Sequence, residues 1–321
     1  MKVLVAGGAG FVGSHLCARL LDEGHDVLCV DNLVTGSDRN IAALVDHGRF
    51  EFLRQDITEP FTASADAVFH LASPASPVGY WEHPFMTIRA NTTGTFTLLD
   101  IARRSQARFL ITSTSEIYGD PLEHPQTEEY RGNVDPTGPR ACYDESKRLG
   151  ETITTEYRRH YGVDTRIVRV FNTYGPHSQL DDGRMIPNFI VQAVAGQPIT
   201  VHGTGAQTRS ICYVDDLVDG LMRAMFAPDT TGGIFNLGNP EEHSVLEWAE
   251  MIIRLTDSPS EIRFEARRED DPLRRCPNIT RARQVLGWTP RIGPEEGLLR
   301  TIDWFRADME RGGTYVPSEA R

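Results

Sequence analysis

Positive charge is scarce in this chain: 33 Lys and Arg stand against 45 Asp and Glu, a net charge of −12 in 321 residues. That balance excludes a general binder of nucleic acid or anionic membrane, although a local cluster of arginines still suits a phosphorylated ligand. Cysteine is sparse and poorly spaced. Cys17, Cys29, Cys142, Cys212 and Cys276 are odd in number and form no CxxC pair, so neither a zinc site nor a disulfide framework is expected. No apolar run approaches the roughly 20 residues of a membrane span. Lys2-Val3-Leu4-Val5-Ala6 runs straight into a glycine-rich turn, so no secretory signal is expected and cytoplasmic residence is. The sequons at Asn91 and Asn278 are then accidental. Internal repeats, low-complexity tracts and linkers are also missing.

What is present is enough apolar residue, 40%, to bury a substantial core in one large α/β unit with a smaller attached region. Short apolar runs at Lys2–Ala6, Val27–Val30, Phe50–Leu53, Ala67–Leu71, Phe109–Thr112 and Arg166–Val170 alternate with helical patterns such as Leu16-Leu20-Leu21, Phe96 to Ile101 and Ile153 to Tyr157. This alternation predicts a parallel sheet covered on both faces, a Rossmann-type doubly wound α/β fold. Directly after the first run comes Gly7-Gly8-Ala9-Gly10-Phe11-Val12-Gly13. Its GxxGxxG spacing allows a tight turn, close backbone approach to a pyrophosphate, and helix–strand packing. Asp31 ends the second run, where a carboxylate binds an adenine ribose diol and repels a 2′-phosphate, so NAD is favoured over NADP. Asp56, after the third run, is placed beside adenine. The ordinary reading of both acids is a loop carboxylate.

Tyr143 and Lys147 are four residues apart, on one helical face, so both heads can reach the same substrate atom. A phenol near pKa 10 is a poor base at neutral pH, and a neighbouring ammonium and a positively charged nicotinamide would favour the phenolate. Such a Tyr can take a proton from a sugar hydroxyl while hydride leaves the same carbon. The spacing alone also fits an exposed polar face.

With the glycine loop, Ser113-Thr114-Ser115-Glu116-Ile117-Tyr118-Gly119 and the Tyr143/Lys147 pair in this order, the chain resembles an extended short-chain dehydrogenase/reductase. Within that superfamily it is most similar to the UDP-glucuronate decarboxylases (UDP-xylose synthases). Ser73-Pro74-Ala75-Ser76-Pro77, Gly138-Pro139-Arg140, Phe171-Asn172-Thr173-Tyr174-Gly175-Pro176, Asp182-Gly183-Arg184, Gln207-Thr208-Arg209-Ser210, Asn236-Leu237-Gly238-Asn239-Pro240 and Asp270-Asp271-Pro272 carry the likeness almost end to end.

The resemblance implies an NAD-binding domain from 1–172 plus 206–238 and a sugar-nucleotide domain from 173–205 plus 239–315. Ser244-x-x-Glu247 is a capping box opening a helix in the latter, and helical material from Arg281 to Arg306 is broken by Pro290 and Pro294. The implied reaction oxidises C4 of UDP-glucuronate, loses carbon dioxide through an enolate, and returns hydride to give UDP-xylose. Tyr143 would move the O4 proton, Lys147 would lower its pKa and hold the nicotinamide ribose, and Thr114 would hydrogen-bond O4. Glu116 has a raised pKa, destabilises the bound acid, or manages a water that protonates C5. Arg275 serves the sugar end or C5 protonation, and Arg209 the diphosphate.

NAD contacts are implied for Gly7, Gly10, Phe11, Val12, Gly13, Asp31, Asn32, Thr35, Gly36, Asp56, Ile57, Leu71, Ala72, Ser73, Tyr143 and Lys147. Substrate contacts are implied for Pro74, Ala75, Tyr80, Asn172, Arg184, Asn188, His202, Arg209 and Arg275, with Thr87 and Asn91 as further pocket residues. No metal site is implied. A homodimer is, through a four-helix bundle of the helix after Pro84 and the one starting near Tyr143.

His177, His202, Gly79 and Cys276 depart from the family pattern, where an arginine, a tyrosine, a histidine and a basic residue are usual. A 4,6-dehydratase would need an acid at Ser115. A UDP-glucuronate or UDP-hexose 4-epimerase stays open, because it needs only Thr114, Tyr143 and Lys147. It has no evident use for Glu116. A non-catalytic binding protein would have no chemical reason to retain all three.

Overall fold

The computed structural model describes residues 1–181, 183–266 and 274–312. Strands β1 (Lys2–Ala6), β2 (Asp26–Asp31), β3 (Phe50–Arg54), β4 (Ala67–His70), β5 (Arg108–Thr114) and β6 (Thr165–Val170) are interleaved with helices α1 (Phe11–Asp22), α2 (Asp38–Ile41), α3 (Pro77–Glu82), α4 (Pro84–Asn91), α5 (Thr93–Ser105) and α6 (Ala141–Tyr161). Next come β7 (Thr173–Tyr174), α7 (Met185–Val194), β8 (Ile199–His202), β9 (Thr208–Ser210), β10 (Cys212–Tyr213), α8 (Val214–Phe226) and β11 (Ile234–Leu237). The remaining elements are β12 (Glu242–Ser244), α9 (Val245–Thr256), β13 (Ile262–Glu265), α10 (Thr280–Leu286) and α11 (Pro294–Glu310).

Seven strands make one sheet in the order β11-β6-β5-β4-β1-β2-β3, every neighbouring pair parallel. This is the doubly wound Rossmann order with β11 added at one edge. A parallel sheet is covered on both faces, which is why its strands are continuous apolar runs. Val3, Leu4, Val5 and Ala6 of β1 are all fully buried. Helices α1 and α8 pack on one face, and α4, α5 and α6 pack together on the other.

The smaller region is built on α7, α9 and α11, which pack on one another, with β13 pairing parallel to β8 and β12 antiparallel to β9. Ser244 and Glu247 form the expected capping box at the start of α9, an arrangement worth about 0.5–2 kcal/mol. Pro294 does not break a helix. It occupies the first turn of α11, where its missing N–H has no partner to lose. Asp182, Asp270-Asp271-Pro272 and residues 313–315 lie outside the described residues.

Candidate active site

In a doubly wound sheet the ligand crevice lies beyond the carboxyl ends of the strands, where their order reverses. Here that reversal falls between β1 and β4. One cavity of about 610 Å³ opens there. Its walls are the segments following each strand: Gly7 after β1, Asp31 and Asn32 at β2, Asp56 and Ile57 after β3, Leu71 to Pro74 after β4, Thr114 to Glu116 at β5, and Asn172 after β6.

All the expected cofactor residues line this cavity: Gly7, Gly10, Phe11, Val12, Gly13, Asp31, Asn32, Thr35, Gly36, Asp56, Ile57, Leu71, Ala72 and Ser73. So do Pro74, Ala75, Tyr80, Thr114, Glu116, Tyr143, Lys147, Asn172, Arg184, Asn188, His202, Arg209 and Arg275. Thr87 and Asn91 do not. Thr87 is fully buried with its hydroxyl donating to the His83 carbonyl at 2.9 Å, and the Asn91 amide donates to Ser146 Oγ at 2.9 Å. Thr87 thus bonds back along its own helix, and Asn91 ties α4 to α6.

These residues suit a dinucleotide. Gly10 caps α1 without any side-chain cap, and no acidic residue sits in the first turn, so the helix N-terminus is left for an anion. Gly7 has φ +82, and a Cβ there would stand 2.6 Å from the Ala72 nitrogen. A Cβ on Gly13 would collide with the Gly7 carbonyl, so the turn needs glycine at both positions. The buried Asp31 carboxylate accepts N–H groups of Ala9 at 3.0 Å and Leu33 at 2.8 Å. It is thereby fixed at the end of β2, where a ribose diol fits and a 2′-phosphate does not. Asp56 is held by Asn32 and Thr58.

Tyr143 and Lys147 lie on the buried face of α6. The Lys147 ammonium donates to the Thr112 carbonyl at 2.9 Å and sits 5.7 Å from the centre of the Tyr143 ring. Burial pushes Lys147 down to about 7, with Glu151 opposing. Burial raises Tyr143 far above an ordinary phenol; Thr114, through a hydrogen bond, and Arg184, through its charge, act against the rise. Among the protein groups, desolvation outweighs the influences that favour the phenolate, which leaves that task to Lys147 together with the positively charged nicotinamide. Tyr80 stacks on Tyr143 with ring centres 5.3 Å apart and planes 13° from parallel.

Glu116 lies at the other end. Its two oxygens pair with Arg140 and Arg275, and Arg275 also donates to the Gly119 carbonyl at 3.2 Å. Burial pushes Glu116 upward, but the Arg275 and Arg140 guanidiniums outweigh it and hold the carboxyl below its usual range. The expectation of a raised Glu116 pKa is thus corrected: burial acts as foreseen, and two cations overturn it.

Arg140 was legible only as part of a Gly-Pro-Arg motif and received no role. Its signal lay in the spacing 140, 143, 147, which puts it on the helical face of the Tyr–Lys pair. Asp144, 6% exposed, was equally silent. The four departures have local explanations. His177 contacts Ser14 Oγ at 3.0 Å, and burial, aided by His15, holds it down at about 4, so the imidazole is neutral where an arginine is usual. A Cβ on Gly79 would stand 2.9 Å from Ser76 Oγ, which accepts the Gly79 N–H. Cys276 is buried with its thiol on the Pro240 carbonyl, and His202 contacts the Ala266 carbonyl at 3.2 Å.

A Rossmann sheet whose crevice unites a glycine loop, a ribose-binding acid and a Tyr–Lys pair defines a short-chain dehydrogenase/reductase of the extended kind. The chain belongs to the NAD dependent epimerase/dehydratase family, whose profile matches residues 3–238. It is 48% identical over 318 residues to UDP-glucuronic acid decarboxylase 1 of Xenopus tropicalis, covering 98% of this chain and 75% of that one. It is 50% identical over 307 residues to UDP-glucuronic acid decarboxylase 5 of Arabidopsis thaliana, covering 95% and 89%. Among solved structures, an epimerase from Methanothermobacter thermautotrophicus superposes with a TM-score of 0.89 at 32% identity, over 97% and 93% of the two chains. UDP-glucuronic acid 4-epimerase from Bacillus cereus, in complex with UDP-glucuronic acid and NAD, gives 0.86 at 27% identity, over 96% and 99%.

Proposed function

We propose that the chain is a UDP-glucuronate decarboxylase, converting UDP-glucuronate to UDP-xylose and carbon dioxide. The observation that carries this is the Glu116–Arg275 pair in the same cavity as Thr114, Tyr143 and Lys147, together with the identity to named decarboxylases over nearly the whole chain. A 4-epimerase needs no such ion cluster.

The glycine loop, Asp31 and Lys147 would hold NAD, which when bound would accept hydride from sugar C4 and later return it. As the phenolate that Lys147 and the positive charge of a bound nicotinamide would favour against the pull of burial, Tyr143 takes the O4 proton as C4 is oxidised. The new carbonyl is β to the C6 carboxylate, so electrons from the C5–C6 bond delocalise onto O4 as carbon dioxide leaves. The Thr114 hydroxyl and the now protonated Tyr143 phenol stabilise that oxygen. Burial favours the protonated phenol, which suits this donating role. Glu116, held ionised, cannot be the acid that protonates C5; with Arg275 it orders a water there. Tyr143 then returns its proton to O4 as the pentose is reduced.

The subunit works as a homodimer. Phe85, Ile88, Phe96 and Leu149 on α4, α5 and α6 are 77%, 38%, 48% and 49% exposed, an apolar face suited to a four-helix bundle with a second copy. Cytoplasmic residence fits the free cysteines. Incubation of purified protein with UDP-glucuronate and mass analysis of the product tests the reading. A UDP-pentose with released carbon dioxide supports it; a product of unchanged mass contradicts it and favours epimerisation.

A further inference from the structure

The Glu116 carboxylate is outnumbered by the cations that hold it. Arg140 reaches one oxygen and Arg275 the other, and all three residues line the cavity. Among the described residues, the Nε atoms of both arginines are buried without a hydrogen-bond partner. The Nε atoms show that the described residues supply no further acceptor, and the Arg140 side chain, 23% exposed where it lines the cavity, can donate beyond Glu116. Asp144 does not supply the missing acceptor: it pairs with neither arginine, and one of its oxygens is itself buried and unpartnered. Burial pushes Asp144 up to about 7, reinforced by Glu116, opposed by Arg140 and Arg275, and reinforced again by Glu145. Two guanidiniums therefore face one full carboxylate and one partly protonated carboxyl, in a pocket of low dielectric.

The substrate proposed above carries what the cluster lacks, a second carboxylate. We propose that Arg140 is a substrate-binding, specificity-determining residue that donates to the C6 carboxylate of the sugar nucleotide beside Arg275, while Glu116 holds both guanidinium forks in place. This rests on the reading that the substrate is a uronic acid. The position of Arg140 supports it. Its backbone carbonyl accepts the N–H groups of Tyr143 at 3.0 Å and Asp144 at 3.1 Å, so its side chain starts from the turn that carries the O4 base. Three residues of helix advance about 4.5 Å, which is commensurate with a hydroxyl on C4 and a carboxyl on the neighbouring C5. Guanidinium forks match carboxylate geometry, as an ammonium does not.

The grip has a kinetic signature. Charge leaves the carboxylate as carbon dioxide forms, so Arg140 binds the ground state more strongly than the transition state. Its loss therefore raises KM and leaves kcat unchanged or somewhat higher. UDP-xylose has no carboxylate and gives Arg140 nothing to hold.

The test measures KM and kcat for UDP-glucuronate, and the inhibition constant of UDP-xylose, in the parent, Arg140→Gln and Arg140→Lys. In Arg140→Gln, KM for UDP-glucuronate rises about ten- to hundredfold, kcat is unchanged or somewhat higher, and the UDP-xylose constant moves under about twofold. Arg140→Lys lies between the two. A UDP-xylose constant that rises in parallel with KM overturns the proposal, as does a fall in kcat with KM unchanged, which would leave Arg140 a mere tether for Glu116. If Arg140→Gln does not fold, the ratio of the two constants in Arg140→Lys decides: it rises above the parent's, and an unchanged ratio sinks the inference. A parent that leaves the carboxylate of UDP-glucuronate intact instead defeats the decarboxylase reading before any variant is made.

Discussion

The two ends of the cavity treat charge in opposite ways. At the Tyr143–Lys147 end burial dominates: it drives Lys147 down to about 7 and the phenol upward, so both groups are pushed toward neutrality. At the Glu116 end ion pairs dominate: Glu116 is held below its ordinary range and Arg140 above its own, because burial is outweighed by the opposite charge beside each. Groups that must pass a proton back and forth are left without fixed counter-ions. Groups that must stay charged are given them. On the proposed reading, the first cluster would serve the redox step and the second would confine it to an acid sugar.

The largest effect should follow a cut at the redox end. Tyr143→Phe keeps the Tyr80 stack and the helix but removes the phenol assigned to O4, so turnover falls at least about a hundredfold while NAD and UDP-sugar binding persist. Calorimetric binding that collapses with activity would mean Tyr143 is structural. Next, Glu116→Gln should leave sugar oxidation running but slow carbon dioxide release about ten- to hundredfold, because two buried guanidiniums lose their shared anion. Stopped-flow traces would then show reduced nicotinamide building up. Equal loss of both steps would erase the distinction between the ends.

Away from the cavity, Leu149→Glu places a charge on the exposed apolar face of α6 and should convert dimer to monomer in sedimentation. Unaltered mass would remove that face from the interface. The smallest effect concerns stability. Asp144 titrates near 7 in the folded protein and near 4 when unfolded. Between those values the folded state keeps a proton that the unfolded chain releases, so stability falls as pH rises from about 4 to about 7. Asp144→Asn should therefore raise Tm by a few degrees at about pH 8 and by less at about pH 5. A gain that grows toward acid would reverse the assigned direction.

Much of the fold was legible because physics writes parallel strands plainly. All six apolar runs, Lys2–Ala6 through Arg166–Val170, are strands of the central sheet, since residues covered on both faces need no alternation. The glycine loop was legible for a similar reason, as backbone at Gly7 and Gly13 admits no side chain. Arg140 and Asp144 were not. The 140, 143, 147 spacing puts Arg140 on the face of the Tyr–Lys pair but does not announce an ion pair, and Arg140 and Arg275 reach Glu116 from 24 and 159 positions away in sequence. The Glu116 pKa was misjudged on the same account: burial can be guessed from one strand end, whereas partners arriving from distant loops cannot. Thr87 and Asn91, expected as further pocket residues, are instead buried on α4 by helix packing.

The central claim is that oxidation at C4 and loss of the carboxyl at C5 are separate acts in one cavity, the first assigned to Tyr143 and Lys147 and the second to Glu116 and Arg275. Running the reaction in heavy water tests it most directly. The account predicts UDP-xylose with a single deuterium at C5, from protonation of the enolate, and the original hydrogen at C4, returned without exchange. Deuterium at C4, or none at C5, would contradict it.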